Sequence, residues 1–268
     1  MNPRRLYRFS LLLWLAGLLL ASAASARDLI WVRAGELPVI LTAPHGGRQD
    51  VPGCELRTPV GARFVTSMDF NTDVLTLGIA AELKRLTGRQ PYVVIAKFHR
   101  KYIDANRSAE EAYGAPGCKT DYEFYHAAIR RFVDEIRGKY SHAMLFDVHG
   151  QSAYADSILR GTRHGATVKR LLARAGRAAL TGPDSVFGRY AAIGYGIVPT
   201  NDTVPTDRVE APGYSGGHTV AIYGSNHHDG VDAMQLEFGR GLRTAAVVDQ
   251  TAKDTAKAIA AFCEHYLR

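Results

Sequence analysis

Two short stretches of this sequence carry side chains that suit a divalent metal ion. In the first, the apolar run 39–43 leads through a proline to His45, two glycines follow, and Asp50 comes five residues after the histidine. In the second, the apolar run 143–146 continues into His149, which again precedes a glycine. Two histidines and one acid are a common zinc-ligand set that leaves the open fourth position of a catalytic site. His45, Asp50 and His149 are therefore the predicted metal ligands.

The positions of these residues predict the elements that carry them. A short continuous apolar run is typical of a strand that is buried on both faces of a sheet. Open α/β sheets bind their ligands at the carboxyl ends of the strands. His45 and His149 each follow such a run, so they are expected to meet at one sheet edge. The glycine after each histidine allows the backbone to turn tightly there.

The charged segment 99–107, directly after the predicted strand 92–98, is a second candidate region. Arg107 could hold a substrate carboxylate through two parallel hydrogen bonds, with Asn106 as a further donor and Asp104 supporting the turn. The alternative is an ordinary solvated loop. Segment 99–107 lies between two predicted strands that end at the proposed metal site, and this position favours the binding role.

Glu237 lies within the apolar strand 233–240 and shares a face with Gln235. A carboxylate in such a strand is costly to bury unless it is used or paired. A general base and a salt-bridged structural residue are both compatible with this pattern.

The run Gly216-Gly217-His218 is a second turn with paired glycines. It could supply a further metal ligand, or it could form a flexible lip that closes over a substrate. The lip is the preferred interpretation.

The remaining pattern predicts the scaffold. Strands and helices alternate without an internal repeat or a linker, which predicts a single α/β domain over residues 27–268. Asp69 and Asp73, which precede and open the first helix, are interpreted as helix caps. The predicted elements are a hairpin over 29–43, helices over 72–86, 123–136, 166–180 and 244–266, and strands over 92–98, 143–150, 155–161, 193–199 and 233–240.

The N-terminus predicts export. Three arginines, the apolar run 11–20 and the small residues 21–26 are typical of a secretory signal peptide over residues 1–26. The apolar run is short for a transmembrane span, and an uncleaved anchor is the alternative. The mature chain is expected to be soluble, periplasmic or secreted, and without stable membrane association.

Charge and length narrow the class of protein further. Removal of the first 26 residues takes away three arginines and lowers the formal net charge from +7 to +4 (7 − 3). No block of lysine and arginine remains, which argues against nucleic acid as a partner. The roughly 240 residues that are left suit one domain with a full core.

Three cysteines stand in a chain that is predicted to be exported, where disulfides can form. Cys54 and Cys118 lie in predicted loops over the candidate site, so a bridge between them is plausible. Cys263 lies in a helical pattern and is expected to be buried. Spacing alone does not determine the pairing.

These motifs, in this order, resemble the N-formylglutamate amidohydrolase family, whose members are relatives of the zinc carboxypeptidases. The resemblance covers most of the chain after the signal peptide. It rests on segment 44–47, Arg100, segments 104–107 and 147–150, Gly216-Gly217 and segment 235–237.

The resemblance implies a three-layer α/β/α fold with a central mixed, mostly parallel sheet. It implies one zinc ion held by His45, His149 and a carboxylate. Asn106 and Arg107 would bind the carboxylate of the substrate.

The same resemblance implies that Glu237 acts as the general base. In the resulting hypothesis of zinc-assisted amide hydrolysis, Arg100 would help the zinc to stabilise the oxyanion. Zinc carboxypeptidases place their acidic ligand three residues after the first histidine, where this chain has Arg48. Asp50 takes that role here. Its position after His45 is similar to the His-Gly-Gly-x-x-acid pattern of poly-γ-glutamate hydrolase-like relatives.

These observations predict an exported zinc-dependent amidohydrolase that acts on a small N-acyl amino acid with a free carboxylate, similar to N-formylglutamate. One alternative is a periplasmic zinc carboxypeptidase or amidase for γ-glutamyl or cell-wall peptides, which export itself favours. Two others are a non-catalytic exported zinc-binding protein and a purely structural domain.

Overall fold

The computed structural model describes residues 28–61, 64–202 and 209–268. Its strands are β1 (Ile30–Arg33), β2 (Val39–Ala43), β3 (Tyr92–Ala96), β4 (Met144–Gln151), β5 (Ser157–Gly161), β6 (Gly196–Val198) and β7 (Asp232–Gly239). Its α-helices are α1 (Thr72–Thr87), α2 (Ala109–Ala112), α3 (Lys119–Lys139), α4 (Lys169–Ala175), α5 (Ala178–Thr181), α6 (Val186–Ala192), α7 (His218–Tyr223) and α8 (Val248–Tyr266). The predicted signal peptide lies outside these ranges. Within them, no helix has both the length and the apolar character that crossing a membrane requires.

The seven strands form one sheet in the order β1-β3-β2-β4-β7-β5-β6. The four central strands, β3, β2, β4 and β7, run parallel to one another. Strand β1 pairs antiparallel with β3, and β5 pairs antiparallel with β7. The sheet is therefore mixed and mostly parallel, as the resemblance implies.

Helices cover both faces of this sheet. Helices α1, α6 and α8 pack on one face, over buried side chains such as Phe146 and Leu236. Helices α3 and α7 pack on the other face, over Leu145 and Ala233. Neighbouring residues of one strand reach opposite layers because side chains alternate across a strand. This confirms the three-layer α/β/α fold.

Two local predictions are wrong. Segment 29–43 is not a hairpin, because β2 is already flanked by β3 and β4, and β1 pairs with the outer side of β3. The predicted helix 166–180 is broken into a 3-10 turn, α4 and α5, with Gly176 at φ 65° ending α4. By contrast, the predicted helix 72–86 is confirmed, because α1 covers Thr72–Thr87 and its C-cap is Gly88, which has a φ of 71°.

The cysteine predictions are confirmed. Cys54 and Cys118 form a disulfide that joins the loop after β2 to the turn before α3. Cys263 is a free, buried cysteine in α8.

Candidate active site

His45 lies two residues after the end of β2, beyond Pro44, and is 1% exposed. The two glycines after it are needed for close packing. A Cβ on Gly46 would lie 2.5 Å from the backbone nitrogen of Asp73, and one on Gly47 would overlap the backbone of Lys97. The chain therefore leaves the sheet between the start of α1 and the end of β3, and this path fixes His45 at the sheet edge.

His149 lies near the carboxyl end of β4, next to β2 in the sheet. Its ring packs edge-on against the ring of His45, with 4.8 Å between the ring centroids and an interplanar angle of 75°. The structure thus brings together the two imidazoles that the sequence places at separate strand ends.

Asp69 is the acid that meets both histidines. Its Oδ2 atom lies 3.3 Å from Nδ1 of His45 and 3.3 Å from Nδ1 of His149. All three side chains are buried, and their ligand atoms lie within 4.8 Å of one another. Asp69 comes from the loop before α1, where its backbone carbonyl accepts hydrogen bonds from Thr72. The N-cap residue of α1 is Asn71, which makes no side-chain capping hydrogen bond, so the prediction that Asp69 and Asp73 cap the helix is wrong. The carboxylate of Asp69 reaches the histidines instead.

Asp50, the acid chosen from the sequence, lies elsewhere. Its side chain is 74% exposed and pairs with Lys101 at 3.3 Å. The backbone of Gln49 hydrogen-bonds to Lys97 and His99, just beyond the end of β3, so the chain has moved away from the two histidines before it reaches Asp50. Asp69 therefore replaces Asp50 as the third candidate ligand.

The outward-facing nitrogens of the two imidazoles contact further carboxylates. Nε2 of His45 lies 2.6 Å from Oδ1 of Asp104, and Nε2 of His149 lies 2.8 Å from Oδ2 of Asp147. Each imidazole thus has a carboxylate at both nitrogens, and a divalent ion bound at Nδ1 would require the proton to be on Nε2, where Asp104 or Asp147 accepts it. Such carboxylate–histidine pairs orient metal-binding imidazoles. The donor set therefore fits a divalent ion.

The charges around this cluster keep its acids ionised. Burial alone would raise the pKa of Asp69, but His45 and His149 outweigh that effect and hold the pKa well below its ordinary value. Asp104 behaves in the same way, because His45 and Arg100 overcome its burial and lower its pKa. Both acids are thus anionic at neutral pH.

Arg100 is buried between two of these carboxylates. Its Nε donates to Oδ2 of Asp104 at 2.9 Å, and another guanidinium nitrogen lies 3.7 Å from Oδ1 of Asp69. Asp104 also accepts from the backbone nitrogen of Asn106 at 3.1 Å, so it supports the turn as predicted. Arg100 therefore places a positive charge at the edge of the cluster.

Glu237 lies opposite His149 in the register of β4 and β7 and is 7% exposed. Its Oε1 accepts a hydrogen bond of 2.7 Å from Gln235, while its buried Oε2 has no hydrogen-bond partner among the described residues. Burial raises the pKa of Glu237 to about 7. No ion pair closes around this carboxylate in the described part of the chain, so the salt-bridge interpretation is not supported.

A cavity of about 770 Å³ opens over His45, His149 and Glu237. Two of the predicted site residues, Asp50 and His218, do not line this cavity. The predicted residues that do line it are His45, Arg100, Asn106, Arg107, His149, Gly216, Gly217 and Glu237. Sites for small molecules are typically clefts of about 300–1,000 Å³ with a few convergent polar groups.

Asn106 and Arg107 form one side of the cavity. Oδ1 of Asn106 accepts from the backbone nitrogen of Thr219 at 2.8 Å, and Nδ2 lies 3.2 Å from Nε2 of His149. Arg107 is half-buried and donates to the carbonyl of Asn106 at 2.9 Å, with Glu111 3.9 Å away. Several guanidinium donors of Arg107 therefore stay available to a ligand in the cavity.

The paired glycines of the predicted lip also line the cavity, where Gly217 lies against the side chain of Asn106. The backbone nitrogen of Gly217 donates to Oε1 of Gln235 at 2.7 Å, which ties this turn to the strand of Glu237. His218 begins α7, and its ring packs edge-on against His126 at 5.7 Å. His218 does not line the cavity, so its predicted substrate-binding role has no structural support. Closure of the lip over a substrate stays a prediction.

Sequence reasoning missed two acids of the site. Asp147 precedes His149 by two residues and so shares its strand face, a signal that was present in the sequence. Asp69 has no such local signal, because an acid before a helix is ordinarily a cap.

Solved structures with the same fold include an N-formylglutamate amidohydrolase from Ralstonia eutropha. It has 17% sequence identity and a TM-score of 0.61, over 88% of this chain and 97% of that chain. A gene product of Agrobacterium tumefaciens has 14% identity and a TM-score of 0.55, over 86% of this chain and 94% of that one. The sequence matches no protein-family model and no curated protein. The chain therefore has the α/β fold of an N-formylglutamate amidohydrolase, as its motifs imply, and carries a His-Asp-His cluster that could hold a metal ion.

Proposed function

We propose that this protein is a metal-dependent hydrolase that cleaves the amide bond of small N-acyl amino acids with a free carboxylate. The observation that carries this proposal is the convergence of His45, Asp69 and His149 beside Glu237, whose Oε2 has no partner among the described residues. The fold shared with an amidohydrolase supports the same reaction type.

His45, Asp69 and His149 are the residues that would hold the ion. Two imidazoles and one carboxylate suit zinc and leave a coordination position for water or substrate. A divalent ion there acts as a Lewis acid, which lets water ionise near neutral pH and polarises a carbonyl group. Asp104 and Asp147 hold the two rings with Nδ1 directed inwards.

Glu237 is the base of the proposed reaction. Its free Oε2 takes a proton from the attacking water and then returns it to the nitrogen of the leaving amine. Gln235 holds the other oxygen, so the carboxylate keeps one orientation throughout.

Arg107 and Asn106 are assigned to the free carboxylate of the substrate. An arginine with uncommitted donors binds a carboxylate through two parallel hydrogen bonds. Arg100, which lines the same cavity near the histidines, is placed to stabilise negative charge on the carbonyl oxygen of the scissile amide.

The test is the substitution Glu237→Gln, which keeps the shape of the side chain and removes the base. We expect kcat for N-formylglutamate or N-acetylglutamate to fall by about 10²–10⁴-fold while the protein still binds one equivalent of zinc. Enzyme kinetics and metal analysis of the same purified samples measure the two quantities.

Glu123→Gln is the matched control, because Glu123 is an exposed residue of α3 that pairs with Lys119 at 3.6 Å. Its activity should equal that of the unsubstituted protein. Undiminished turnover in Glu237→Gln with metal bound contradicts the assignment of the base. A protein that binds zinc and hydrolyses γ-glutamyl or cell-wall peptides, but no N-acyl amino acid, contradicts the proposed substrate.

A further inference from the structure

A second cavity adjoins the proposed active site. It has a volume of about 670 Å³, and Pro212 and Gly216 line both cavities. Its other wall carries two basic residues, Arg163 and His164. No residue assigned to metal binding, proton transfer or carboxylate binding lies in this second space.

The glycine pair lies at the border between the two adjoining cavities. A Cβ on Gly217 would overlap the amide of Asn106, whereas one on Gly216 would lie 3.1 Å from Cγ of Arg163. Gly216 also has a φ of 120°, which side chains of L-residues rarely tolerate. One thin stretch of backbone therefore contacts Asn106 of the first cavity through Gly217 and Arg163 of the second cavity through Gly216.

Arg163 and His164 hold unusual backbone conformations, with φ values of 49° and 57°. Two consecutive non-glycine residues in the left-handed region persist only where the surroundings over-determine them, and such positions cluster at ligand sites. The backbone nitrogen of Arg163 donates to the carbonyl of Ser215 at 2.5 Å. The strained pair is thus tied directly to the turn that carries the glycine pair.

Buried Glu210 fixes the other side of this pair. Its carboxylate accepts from the backbone nitrogen of His164 at 2.9 Å and from the backbone nitrogen and hydroxyl of Thr162 at 2.8 and 2.5 Å. Arg160 lies 3.9 Å away. The charge of Glu210 is therefore committed to the protein and leaves Arg163 available.

The Arg163 side chain is exposed, and none of the described residues forms an ion pair with it. An exposed guanidinium that borders a cavity, on a backbone that is held rigid, is suited to bind an anion from that cavity. The first cavity alone is already within the size range that holds a small ligand. The second cavity thus offers room for a longer acyl group.

We propose that the second cavity, which Arg163 borders, is a subsite for an acyl group with a carboxylate of its own. The preferred substrate then carries at least two separated carboxylates, one on the amino acid at Arg107 and one on the acyl chain at Arg163. This inference rests on the proposed function and adds the class of acyl group to it.

The experiment compares N-glutarylglutamate with N-pentanoylglutamate, which have acyl chains of the same length and differ in the terminal carboxylate. For Arg163→Gln we expect kcat/KM for the glutaryl substrate to fall by about tenfold, with kcat/KM for the pentanoyl substrate unchanged. Arg163→Lys should restore most of the loss because it keeps the charge. Arg33→Gln, an exposed substitution on the edge strand β1, should change neither value.

Calorimetry on the Glu237→Gln background measures binding without turnover. There, the glutaryl compound should bind more tightly than the pentanoyl compound, and Arg163→Gln should remove that preference. Equal losses for both compounds, or equal affinities before the substitution, overturn the subsite. If the intact protein hydrolyses neither compound but the binding preference depends on Arg163, the subsite stands and the proposed function fails.

Discussion

The two faces of β4 have equal burial and opposite chemistry. Phe146 and Val148 face α1 and α8 in an apolar core, and the Phe146 ring lies 6.0 Å from that of Phe262. Asp147 and His149 alternate with them on the other face and join the candidate metal centre. All four strand residues are at most 2% exposed.

The neighbouring strand β7 repeats the contrast. Leu236 and Phe238 pack in the apolar layer, while Gln235 and Glu237 lie on the polar face. The polar face is tolerated because most of its charges are paired. Oε2 of Glu237, which has no partner among the described residues, points to a ligand. At the carboxyl ends of these two strands, one face continues the apolar core and the other carries the chemistry.

The largest effect on stability is expected on the apolar face. Phe146→Ala removes a fully buried ring and leaves a cavity, so the free energy of unfolding should fall by about 3–5 kcal/mol. Denaturant unfolding measures this change. The molecules that stay folded should still bind one equivalent of metal, because no ligand is altered.

Leu86→Ala is the control, since Leu86 is 39% exposed on α1. It should shift the free energy of unfolding by no more than about 0.5 kcal/mol. If Phe146→Ala instead abolishes metal binding in protein that remains folded, the two faces are not independent.

The second prediction concerns the polar face. Asp147 accepts from the hydroxyl of Thr42 and contacts Nε2 of His149, so it orients this imidazole. Asp147→Asn should weaken metal affinity by about 10–100-fold, the usual effect of removing such a carboxylate. Competition with a chromophoric chelator measures it.

Asp184→Asn is the matched control, because Asp184 pairs with Arg189 at the surface. Its metal affinity should not change. Equal affinities for Asp147→Asn and the control would show that the carboxylate does not orient the ring.

The smallest effect concerns a buried acid outside the polar face. Burial raises the pKa of Asp121 to about 6, and its Oδ1 has no partner among the described residues. Because the pKa is higher in the folded state than in the unfolded chain, the stability linked to its proton is present below about pH 4 and is lost as the pH rises through about 6. Asp121→Asn should therefore raise the free energy of unfolding at pH 8 by about 1 kcal/mol after allowance for solvent screening.

Unfolding curves of Asp121→Asn and the unsubstituted protein at pH 4 and pH 8 test the sign. The increase in the free energy of unfolding of Asp121→Asn should be present at pH 8 and close to zero at pH 4. A gain of equal size at both pH values would assign it to packing rather than to the charge.

The sequence predicts what depends on local pattern. His45 and His149 follow apolar runs, and parallel strands bring such ends to one sheet edge, so their meeting could be foreseen. Gly88 marks the end of α1 for an equally local reason, the left-handed conformation that glycine adopts. Glu237 was identifiable because an acid within an apolar strand is rare.

The failures are non-local. Whether Asp50 or Asp69 reaches the histidines depends on the path of the loop, and the contacts of Gln49 just beyond the end of β3 decide it. The β1 pairing was mispredicted for the same reason, because its partner is set by which edge of the sheet is free. Helix 166–180 was predicted intact although Gly176 interrupts it.

Asp69, and not Asp50, completes the proposed metal site with His45 and His149. Zinc titration of the metal-free protein, of Asp69→Asn and of Asp50→Asn tests it most directly. We predict one equivalent bound by the unsubstituted protein, the same affinity for Asp50→Asn, and a loss of more than about 100-fold for Asp69→Asn. Unchanged affinity in Asp69→Asn, or the loss appearing in Asp50→Asn instead, would contradict the account.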